Sequence, residues 1–470
     1  MKSAFVARAL LAAGVLASAA CAVRPYNVPL AAAAAVPGAD RSAPAYTFAE
    51  RLPRNSPRLF IVLTFSGGGM RAAAFTLGVL DKLAATTIVV AGAPRRLLDE
   101  VDVITAVSGG SFTAAYHGLF GDRVFSDFPQ RFLYRDVQAD LLAQLLAPTQ
   151  WFKLASTEFS RTDAVAEYFD RTLFEGRTFA DLSAGGRQPY IILNAADLNT
   201  GSTFSFTQMQ FDYLCSDLRP FPVARAVTAS AAIPMVLAPL VLRNHEGDCA
   251  ARTPQWVTAA LAEHDPADRR FHAASALASY ADPSAVPYVR LVDGGIVDNL
   301  GVRGSIMSEV NHYGRVLEMA GAFSPRALSQ VEHVLVIASN TQSLSGRDWL
   351  QSPSDPGLLD TALALSDATT KVLNTETTFL AQKGFDMWAA HVNAQRCTAC
   401  PQVTVDFSVL AFDYLSDPGE RWRFGKIPTT LHLDRSTVDE LRALPSRMLD
   451  ASSPFTAFLQ RLSAPANAAR

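Results

Sequence analysis

The segment around residue 66 constrains the fold of this chain more than any other part of it. The run Leu59–Phe65 is almost wholly apolar, as in a parallel-sheet strand that is covered on both faces. Three glycines, Gly67–Gly69, follow it. Apolar residues then recur at helical spacing from Met70 to Ala84. A strand, a glycine loop and a helix in this order predict an α/β fold.

The same alternation continues along the chain. The apolar run Val101–Val107 ends at Ser108, Gly109 and Gly110, and a helix-like stretch follows. Together these patterns predict a sheet that helices cover on both faces. Further strands are predicted at Tyr190–Leu193, Tyr288–Val292 and His333–Ala338, an edge strand at Val403–Phe412, and two helices over Ser436–Leu462.

The first 21 residues predict an export signal. Lys2 and Arg8 precede the apolar stretch Ala9–Ala20, which ends in small residues before Cys21. The stretch is shorter than the roughly 20 apolar residues of a comfortable membrane span. Lipidation of Cys21 and ordinary cleavage near Ala20 both stay open. Either one predicts a protein of the periplasm or cell envelope, and lipidation would anchor it to a membrane.

Composition divides the rest of the chain into regions. Residues 22–56 are rich in proline and alanine without apolar periodicity, which predicts a flexible linker. We expect the main domain at residues 57–345. The hydrophilic, alanine-rich stretch near 245–287 is predicted to be an insertion that can shape the entrance to a site. Residues 346–470 are expected to form a helical and strand-containing extension packed on the main domain.

Charge and cysteine content narrow the function classes. The formal net charge of −3 argues against a nucleic-acid binder. Of the five cysteines, Cys397 and Cys400 can close a tight loop, and Cys215 can pair with Cys249. The single CxxC is only half of a zinc-ribbon pattern. We therefore expect no metal and no cofactor, and the sequence says nothing about oligomeric state.

Ser108 is the candidate nucleophile. It lies between a predicted buried strand and a helix, and the two glycines after it allow a sharp turn that exposes the hydroxyl. The N-terminus of the following helix favours developing negative charge. A plain helix N-cap serine is the alternative. Ala106 stands where the first glycine of a G-x-S-x-G turn is usual.

Asp293 is the candidate base. It follows the predicted strand Tyr288–Val292 and precedes two glycines, so its carboxylate can reach the turn of a neighbouring strand. An ordinary Asp-Gly turn is the alternative. His117 lies near Ser108 in sequence, but on the following helix it is expected to point away. No other histidine stands in a motif.

The glycine run is the candidate oxyanion hole. Consecutive N–H groups of Gly67, Gly68 and Gly69 can form a nest for an oxyanion, and Arg71 can fix the loop or add positive potential. A tight turn without such a role is the alternative. A nucleotide phosphate loop fits poorly, because the Gly-Lys-Ser/Thr ending is missing.

Together these motifs resemble the patatin-like phospholipase family. The family marks are a glycine loop ending in arginine, a nucleophile turn and a later Asp-Gly-Gly. They match Ser66–Arg71, Ala106–Gly110 and Asp293–Gly295, with further similarity at Ala196–Gly201 and Ala229–Pro234. The resemblance covers roughly residues 58–345.

The resemblance implies a three-layer α/β/α sandwich with a mostly parallel central sheet. It also implies a hydrolase of lipid acyl esters, of phospholipase A or lysophospholipase type. Ser108 then matches the nucleophile, Asp293 the base, and Gly67, Gly68 and Gly69 the oxyanion hole with Arg71 beside it. It also implies a lipid substrate and contact with a membrane surface. Asp298 and Asn299, which follow the third motif, are expected to be structural. A Ser-His-Asp esterase using His391 or His432, and a non-catalytic envelope protein that binds lipid or a partner, are the alternatives.

Overall fold

The computed structural model describes most of the chain. The residues described are 24–30, 46–47, 55–156, 158–184, 189–234, 236–245, 255–304, 330–343, 353, 355, 357–398 and 400–463. The export signal predicted over residues 1–21, including Cys21, lies outside them. Within them, no helix combines the length and the apolar character needed to cross a membrane.

Strands and helices alternate through the first three quarters of the chain, and helices dominate the last quarter. The strands are β1 Val28–Pro29, β2 Leu59–Phe65, β3 Thr87–Val90, β4 Ala93–Arg96, β5 Val103–Val107, β6 Tyr190–Asp197, β7 Ser202–Ser205, β8 Ser216–Asp217, β9 Leu240–Arg243, β10 Tyr288–Asp293, β11 His333–Asn340 and β12 Thr404–Ala411. The helices are α1 Gly69–Ala85, α2 Gly109–Phe120, α3 Arg123–Phe128, α4 Val137–Leu146, α5 Pro148–Leu154, α6 Arg161–Phe169, α7 Phe179–Ala184, α8 Gln208–Asp212, α9 Val223–Ser230, α10 Gln255–Glu263, α11 Arg269–Ala278, α12 Gly295–Asp298, α13 Leu358–Gln395, α14 Pro418–Gly425, α15 Arg435–Asp450 and α16 Ser453–Ser463.

The central sheet has the strand order β12-β11-β2-β5-β6-β10-β9, with β7 paired to β6. The five strands from β12 to β6 run parallel. The strands β10, β9 and β7 are antiparallel to their neighbours. Helices flank the sheet, so the predicted α/β/α fold is confirmed.

The register of β10 brings its end next to the end of β5. β10 pairs only with the last residues of β6, and Asp293 lies opposite Ala195. On the other side of β6, Val107 at the end of β5 lies opposite Asn194. The residues that follow β5 and the last residue of β10 are therefore neighbours across one strand.

The apolar runs predict the strands well, because a strand covered on both faces buries every side chain. All residues of Leu59–Phe65 are buried. The strand at Tyr190 extends to Asp197, four residues beyond its predicted end, because its last four residues pair with β7. The alternating run at Val403 forms the edge strand β12, as predicted. The last two helices, α15 and α16, also match their prediction.

Parts of the predicted linker pack against the domain. β1 pairs with β8, and the Asn27 side chain bonds the backbone of Arg243. Tyr46 is 1% exposed, stacks on Tyr190 and hydrogen-bonds to the backbone of Ile191. The prediction of a flexible linker over residues 22–56 is therefore wrong at these two points. The segment packs because removing the Tyr46 ring from water against β6 stabilises it by more than the conformational entropy that ordering the segment costs.

The C-terminal region and the predicted insertion are both built into the domain. The extension after residue 345 supplies the edge strand β12, and its helix α15 packs along α1. The insertion forms the helix pair α10 and α11, which pack on each other. The boundaries themselves stay predictions.

The structure contains one of the two expected disulfides within the described residues. Cys397 and Cys400 are bonded, as their spacing allows. Cys215 is also disulfide-bonded, and its expected partner Cys249 lies outside the described residues.

Candidate active site

Ser108 occupies a strained turn between β5 and α2. Its φ of 49° and ψ of −121° fall in a region that residues with a Cβ rarely adopt. Strain of this kind costs about 1–3 kcal/mol and persists only where surrounding contacts enforce it. The turn lifts the hydroxyl off the end of the sheet, as in a nucleophile elbow. Ala106, which replaces the usual first glycine, is buried inside β5 before the turn.

The structure brings Ser108 and Asp293 together. The Ser108 hydroxyl donates a hydrogen bond of 2.8 Å to Oδ2 of Asp293, across 185 residues of sequence. Both side chains are buried, at 6% and 8% exposure. The contact arises because Asp293 is the last residue of β10 and Ser108 follows the last residue of β5. A serine hydroxyl in contact with a buried carboxylate can pass it a proton without an imidazole between them.

The surroundings of Asp293 hold the pKa of its carboxyl slightly below neutral pH. Burial raises the pKa of Asp293 from the ordinary 3.8 to about 6, because an apolar environment disfavours the charged form. The Gly295 N–H, which donates to Oδ1 at 2.8 Å, and the Ser108 hydroxyl oppose that rise. The carboxylate is therefore ionised near neutral pH and still basic enough to accept a proton.

The glycine loop lies directly beside the serine turn. A Cβ on Gly109 would come within 2.1 Å of the Gly69 carbonyl oxygen, so only glycine permits this approach. Gly68 has a φ of 142°, which also requires glycine. The helices α1 and α2 thus begin next to each other at Ser108. Their first N–H groups have no partner one turn earlier and can hold a developing negative charge.

The glycines of this loop differ in what their N–H groups do. The Gly67 N–H donates to the carbonyl of Asn299 at 3.1 Å. Gly67 therefore joins the loop to the turn after Asp293 and has no free N–H for an oxyanion. This leaves Gly68 and Gly69 as the candidate donors. A Cβ on Gly67 would lie 2.6 Å from the Asn299 side chain and 3.2 Å from the Ser108 Cβ.

Arg71 makes the contacts of the first of the two roles that the sequence leaves open for it, fixing the glycine loop. Its side chain is 1% exposed and donates to the carbonyls of Thr341 and Ile427 and to the Thr429 hydroxyl. Burial lowers the pKa of the guanidinium to about 10. Arg71 therefore fixes the loop from behind. The same C-terminal segment bonds the loop directly, since the Met70 N–H donates to the Thr430 carbonyl at 2.8 Å.

Ser230 supports the turn that carries Ser108, although the sequence gives the stretch Ala229–Pro234 only a resemblance to the family and no role. It is fully buried at the end of α9, and its hydroxyl donates to the Asn194 carbonyl at 2.6 Å. The same oxygen accepts the Ser108 N–H at 2.8 Å. The Ser111 hydroxyl lies 2.8 Å from it and must donate, because the single proton of Ser230 is already used. Ser230 thus holds the strained nucleophile turn by its backbone.

The same short segment also holds Asp293. The Ser230 carbonyl accepts the Gly294 N–H at 3.2 Å, and the Ala232 carbonyl accepts the Asp293 N–H at 2.9 Å. Residues 230–232 therefore bond both the turn that carries Ser108 and the strand end that carries Asp293. This arrangement sets the distance between the two side chains. The stretch Ala229–Pro234 resembles the family in sequence, and its physical role becomes apparent only in the fold.

The histidines lie elsewhere. Among the described residues, none hydrogen-bonds to Ser108 or Asp293. His117 is buried within α2, and burial lowers its pKa to about 4. His391 contacts Gln395 on its own helix, and His432 is half exposed near Asp136. The geometry gives no support to a Ser-His-Asp arrangement.

One comparison with known proteins, the match to a family model, identifies the family of this chain. Among curated proteins, none matches the sequence of this chain. Among solved structures, human GIVD cytosolic phospholipase A2 aligns with 12% identity and a TM-score of 0.42, over 88% of this chain and 66% of that one. The family model of patatin-like phospholipase matches residues 63–306, which include the glycine loop, Ser108 and Asp293. More than half of the chain lies within that match, and the chain therefore belongs to the patatin-like phospholipase family.

Proposed function

We propose that this chain hydrolyses acyl esters of lipids, with Ser108 as the nucleophile and Asp293 as the base. The observation that carries the proposal is the 2.8 Å hydrogen bond from the Ser108 hydroxyl to Asp293. Family membership supports the lipid substrate. A buried serine on a strained turn, beside two helix N-termini, supports acyl transfer rather than simple capping.

In the first half of the reaction, the Ser108 oxygen attacks the acyl carbonyl carbon while its proton passes to Asp293. Negative charge collects on the carbonyl oxygen, and the N–H groups of Gly68 and Gly69 stabilise it. The C–O bond to the alcohol then breaks, and the alcohol leaves with the proton from Asp293. The acyl group remains on Ser108 as an ester.

In the second half, water takes the place of the alcohol. Asp293 accepts a proton from the water as its oxygen attacks the acyl-enzyme carbonyl. The same donors stabilise the second tetrahedral intermediate. Collapse releases the fatty acid and returns the proton to Ser108, so the enzyme is regenerated without a cofactor.

Apolar side chains beside the dyad support a lipid substrate. Ile233 follows the residue that bonds the Asp293 N–H, and it is 42% exposed. Ile296 follows Gly295 and is 44% exposed. Large aliphatic side chains left in water next to a buried polar site are suited to contact acyl chains.

We further propose that the protein is exported and acts in the periplasm or cell envelope. Lys2, Arg8, the apolar stretch before Cys21 and the Cys397–Cys400 disulfide support an oxidising compartment. Metabolic labelling with palmitate, compared between the wild type and Cys21→Ser, tests the anchor. Equal labelling of the two proteins would rule out lipidation at Cys21.

A lipid-panel assay tests the substrate class. The purified protein and its Ser108→Ala variant are incubated with a phospholipid, a lysophospholipid and a neutral glyceride, and released fatty acid is measured. We expect release by the wild type from at least one lipid and none by the variant. If the wild type releases no fatty acid from any lipid and cleaves no soluble p-nitrophenyl ester, the proposal fails in favour of a non-catalytic binding protein.

Ser230→Ala is expected to slow catalysis through the backbone of Ser108. The change leaves the buried Ser108 N–H without its acceptor, which costs about 1–3 kcal/mol. If this cost falls on the transition state, kcat falls roughly ten- to a hundredfold, with little change in KM. Steady-state kinetics on a soluble ester measure the split between the two constants.

Thr228→Ala is the matched control for that change. Thr228 is buried on the same helix, but its hydroxyl bonds only the Ala224 carbonyl one turn earlier. We expect it to lower the unfolding temperature by a similar amount while kcat stays near the wild-type value. If the two variants lose the same kcat, Ser230 has only a structural role.

A further inference from the structure

A cavity lies between the helices of the predicted insertion and the β6–β7 hairpin. Its volume is about 630 Å³. One wall is formed by the helices α10 and α11, another by the hairpin residues Thr200–Ser205, and a third by the chain after Asp293, at Val297, Arg303 and Gly304. Neither Ser108 nor Asp293 is among its described lining residues.

The charged side chains that line this cavity are basic. The described lining includes three arginines and one histidine, but no aspartate or glutamate, although the whole chain carries a net charge of −3. Arg270 is neutralised by Asp268 and Glu263. Arg269, the first residue of α11, is exposed, and within the described part of the chain it makes no ion pair. Among the described residues, the cavity therefore carries positive charge at Arg269 that no ion pair neutralises.

Arg303 adds to this charge from the opposite wall. It is half-buried, and its Nε donates to the Thr377 hydroxyl. Burial lowers its pKa, and repulsion from Arg269 lowers it further, while Asp298 and Glu376 oppose the change. Two guanidinium groups that repel each other across a cavity become more stable when an anion lies between them.

The remaining lining offers an ester of phosphate one hydroxyl donor and an apolar surface. The hairpin hydroxyls of Thr200 and Ser205 already donate to Asp197 and Asn194, and Ser202 donates to Thr200. The Thr203 hydroxyl remains available to donate to a phosphate oxygen. The apolar side chains of Trp256, Leu277 and Val297 provide a surface for the carbon atoms of an ester. Asp197 lies behind this wall, 1% exposed, and accepts hydrogen bonds from the Thr200 and Tyr280 hydroxyls.

A short chain of contacts joins the cavity to the dyad. The Ser205 hydroxyl donates to the Asn194 side chain at 2.8 Å, and the Asn194 carbonyl accepts the hydroxyl of Ser230, which bonds the Ser108 N–H. On the other side, Val297 lies two residues after Gly295, whose N–H bonds Asp293. These contacts connect the wall of the cavity to the supports of Ser108 and Asp293.

We infer that this cavity binds the phosphate of an anionic lipid headgroup through Arg269 and Arg303 while the acyl ester lies at Ser108. The inference rests on the proposed function and narrows its substrate to lipids with a negatively charged headgroup. The insertion that carries Arg269 then acts as the headgroup-binding part of the enzyme.

The test compares two short-chain substrates below their critical micelle concentrations, so that no lipid surface is present. Dihexanoyl phosphatidylglycerol carries the anionic phosphate, and dihexanoylglycerol lacks it. Arg269→Gln is expected to lower kcat/KM for the first by about tenfold, the value of one charge-assisted contact, and to leave the second unchanged. Arg303→Lys, which keeps the charge but loses the planar fork, is expected to act in the same direction.

Arg435→Gln is the matched control. Arg435 is also exposed, is the first residue of a helix, and follows an aspartate N-cap, as Arg269 does. It should leave both rates unchanged. Equal rates for wild type and Arg269→Gln on phosphatidylglycerol, or an equal loss on both substrates, would overturn the inference.

Inhibition by inorganic phosphate distinguishes a lipid headgroup from a free anion in the cavity. Phosphate should inhibit the wild type competitively on phosphatidylglycerol and inhibit Arg269→Gln more weakly. If phosphate inhibits in this way but Arg269→Gln keeps the wild-type ratio of the two substrates, the cavity holds a free anion and the headgroup assignment is wrong. If the wild type cleaves neither lipid nor a p-nitrophenyl ester, the proposed function itself fails.

Discussion

Ser108→Ala is expected to lower kcat for ester hydrolysis by a factor on the order of 10⁴ to 10⁶, while the protein stays folded. The variant lacks the oxygen that forms the acyl-enzyme, so only binding and the oxyanion donors remain to accelerate the attack of water. The lost hydrogen bond to Asp293 changes the free energy of unfolding by only about 1 kcal/mol. Initial rates on a soluble ester and a thermal melt measure the two effects.

Thr113→Ala controls for the substitution itself. Thr113 lies on the same helix as the serine turn and is fully buried, but its hydroxyl bonds the Ala73 carbonyl away from the dyad. It should keep most of the wild-type kcat. A Ser108→Ala protein that is folded and retains more than about a tenth of wild-type activity would mean that another residue is the nucleophile.

Asp293→Asn is expected to reduce kcat by about 10⁴-fold, because an amide cannot accept the Ser108 proton. The wild type should show kcat/KM rising with pH through an apparent pKa of about 6, since burial raises the pKa of Asp293 to that value. Below it, the protonated carboxyl is no base, and activity should fall about tenfold per pH unit. The residual activity of Asp293→Asn should not show this rise with pH.

The same carboxylate has an opposite effect on stability. The pKa of Asp293 is higher in the folded protein, at about 6, than its ordinary value of 3.8, so the folded state binds this proton more tightly. Stability therefore falls as pH rises from about 4 to 6, and the full penalty, roughly 3 kcal/mol, is present above pH 6. Asparagine cannot ionise. Asp293→Asn should accordingly be more stable than the wild type at pH 8.

Denaturant unfolding of both proteins at pH 4 and pH 8 measures this difference. The gap between the variant and the wild type should be larger at pH 8. A wild-type rate that stays flat between pH 4.5 and pH 8, together with a stability gap that does not depend on pH, would contradict the role of Asp293 as a buried base.

The sequence predicts the sheet and the dyad for a physical reason. Strands buried on both faces need continuous apolar side chains, so the strand Leu59–Phe65 can be predicted without any tertiary information. Ser108 and Asp293 each end or follow such a strand. The order and register of the strands cannot be predicted in this way. The two residues meet because β10 pairs with the last residues of β6, and β6 also borders β5.

What the sequence does not reveal is the support of the site. Ser230 meets Ser108 across 122 residues, and Arg71 meets Ile427 across 356. Such contacts follow from tertiary packing, and a serine at a helix end or an arginine after a glycine loop carries no local sign of its partner. This is why the sequence predicts Gly67 at the oxyanion although its N–H bonds Asn299, and why it leaves two roles open for Arg71.

The cavity at the insertion also cannot be predicted from the sequence. The stretch near 245–287 was predicted to shape the entrance on composition alone. The placement of Arg269 opposite Arg303 depends on how α11 packs beside the hairpin. Two arginines separated by more than 30 positions give no pattern until the fold brings them together.

Labelling with a fluorophosphonate probe, followed by peptide mass spectrometry, tests the central claim most directly. The probe reacts only with a serine whose proton is removed and whose oxyanion is stabilised. We expect one adduct in the wild type, on the peptide that contains Ser108. Ser108→Ala should give none, and Asp293→Asn should react far more slowly. An unlabelled wild type, or an adduct that persists in Ser108→Ala, would contradict a nucleophilic role for Ser108.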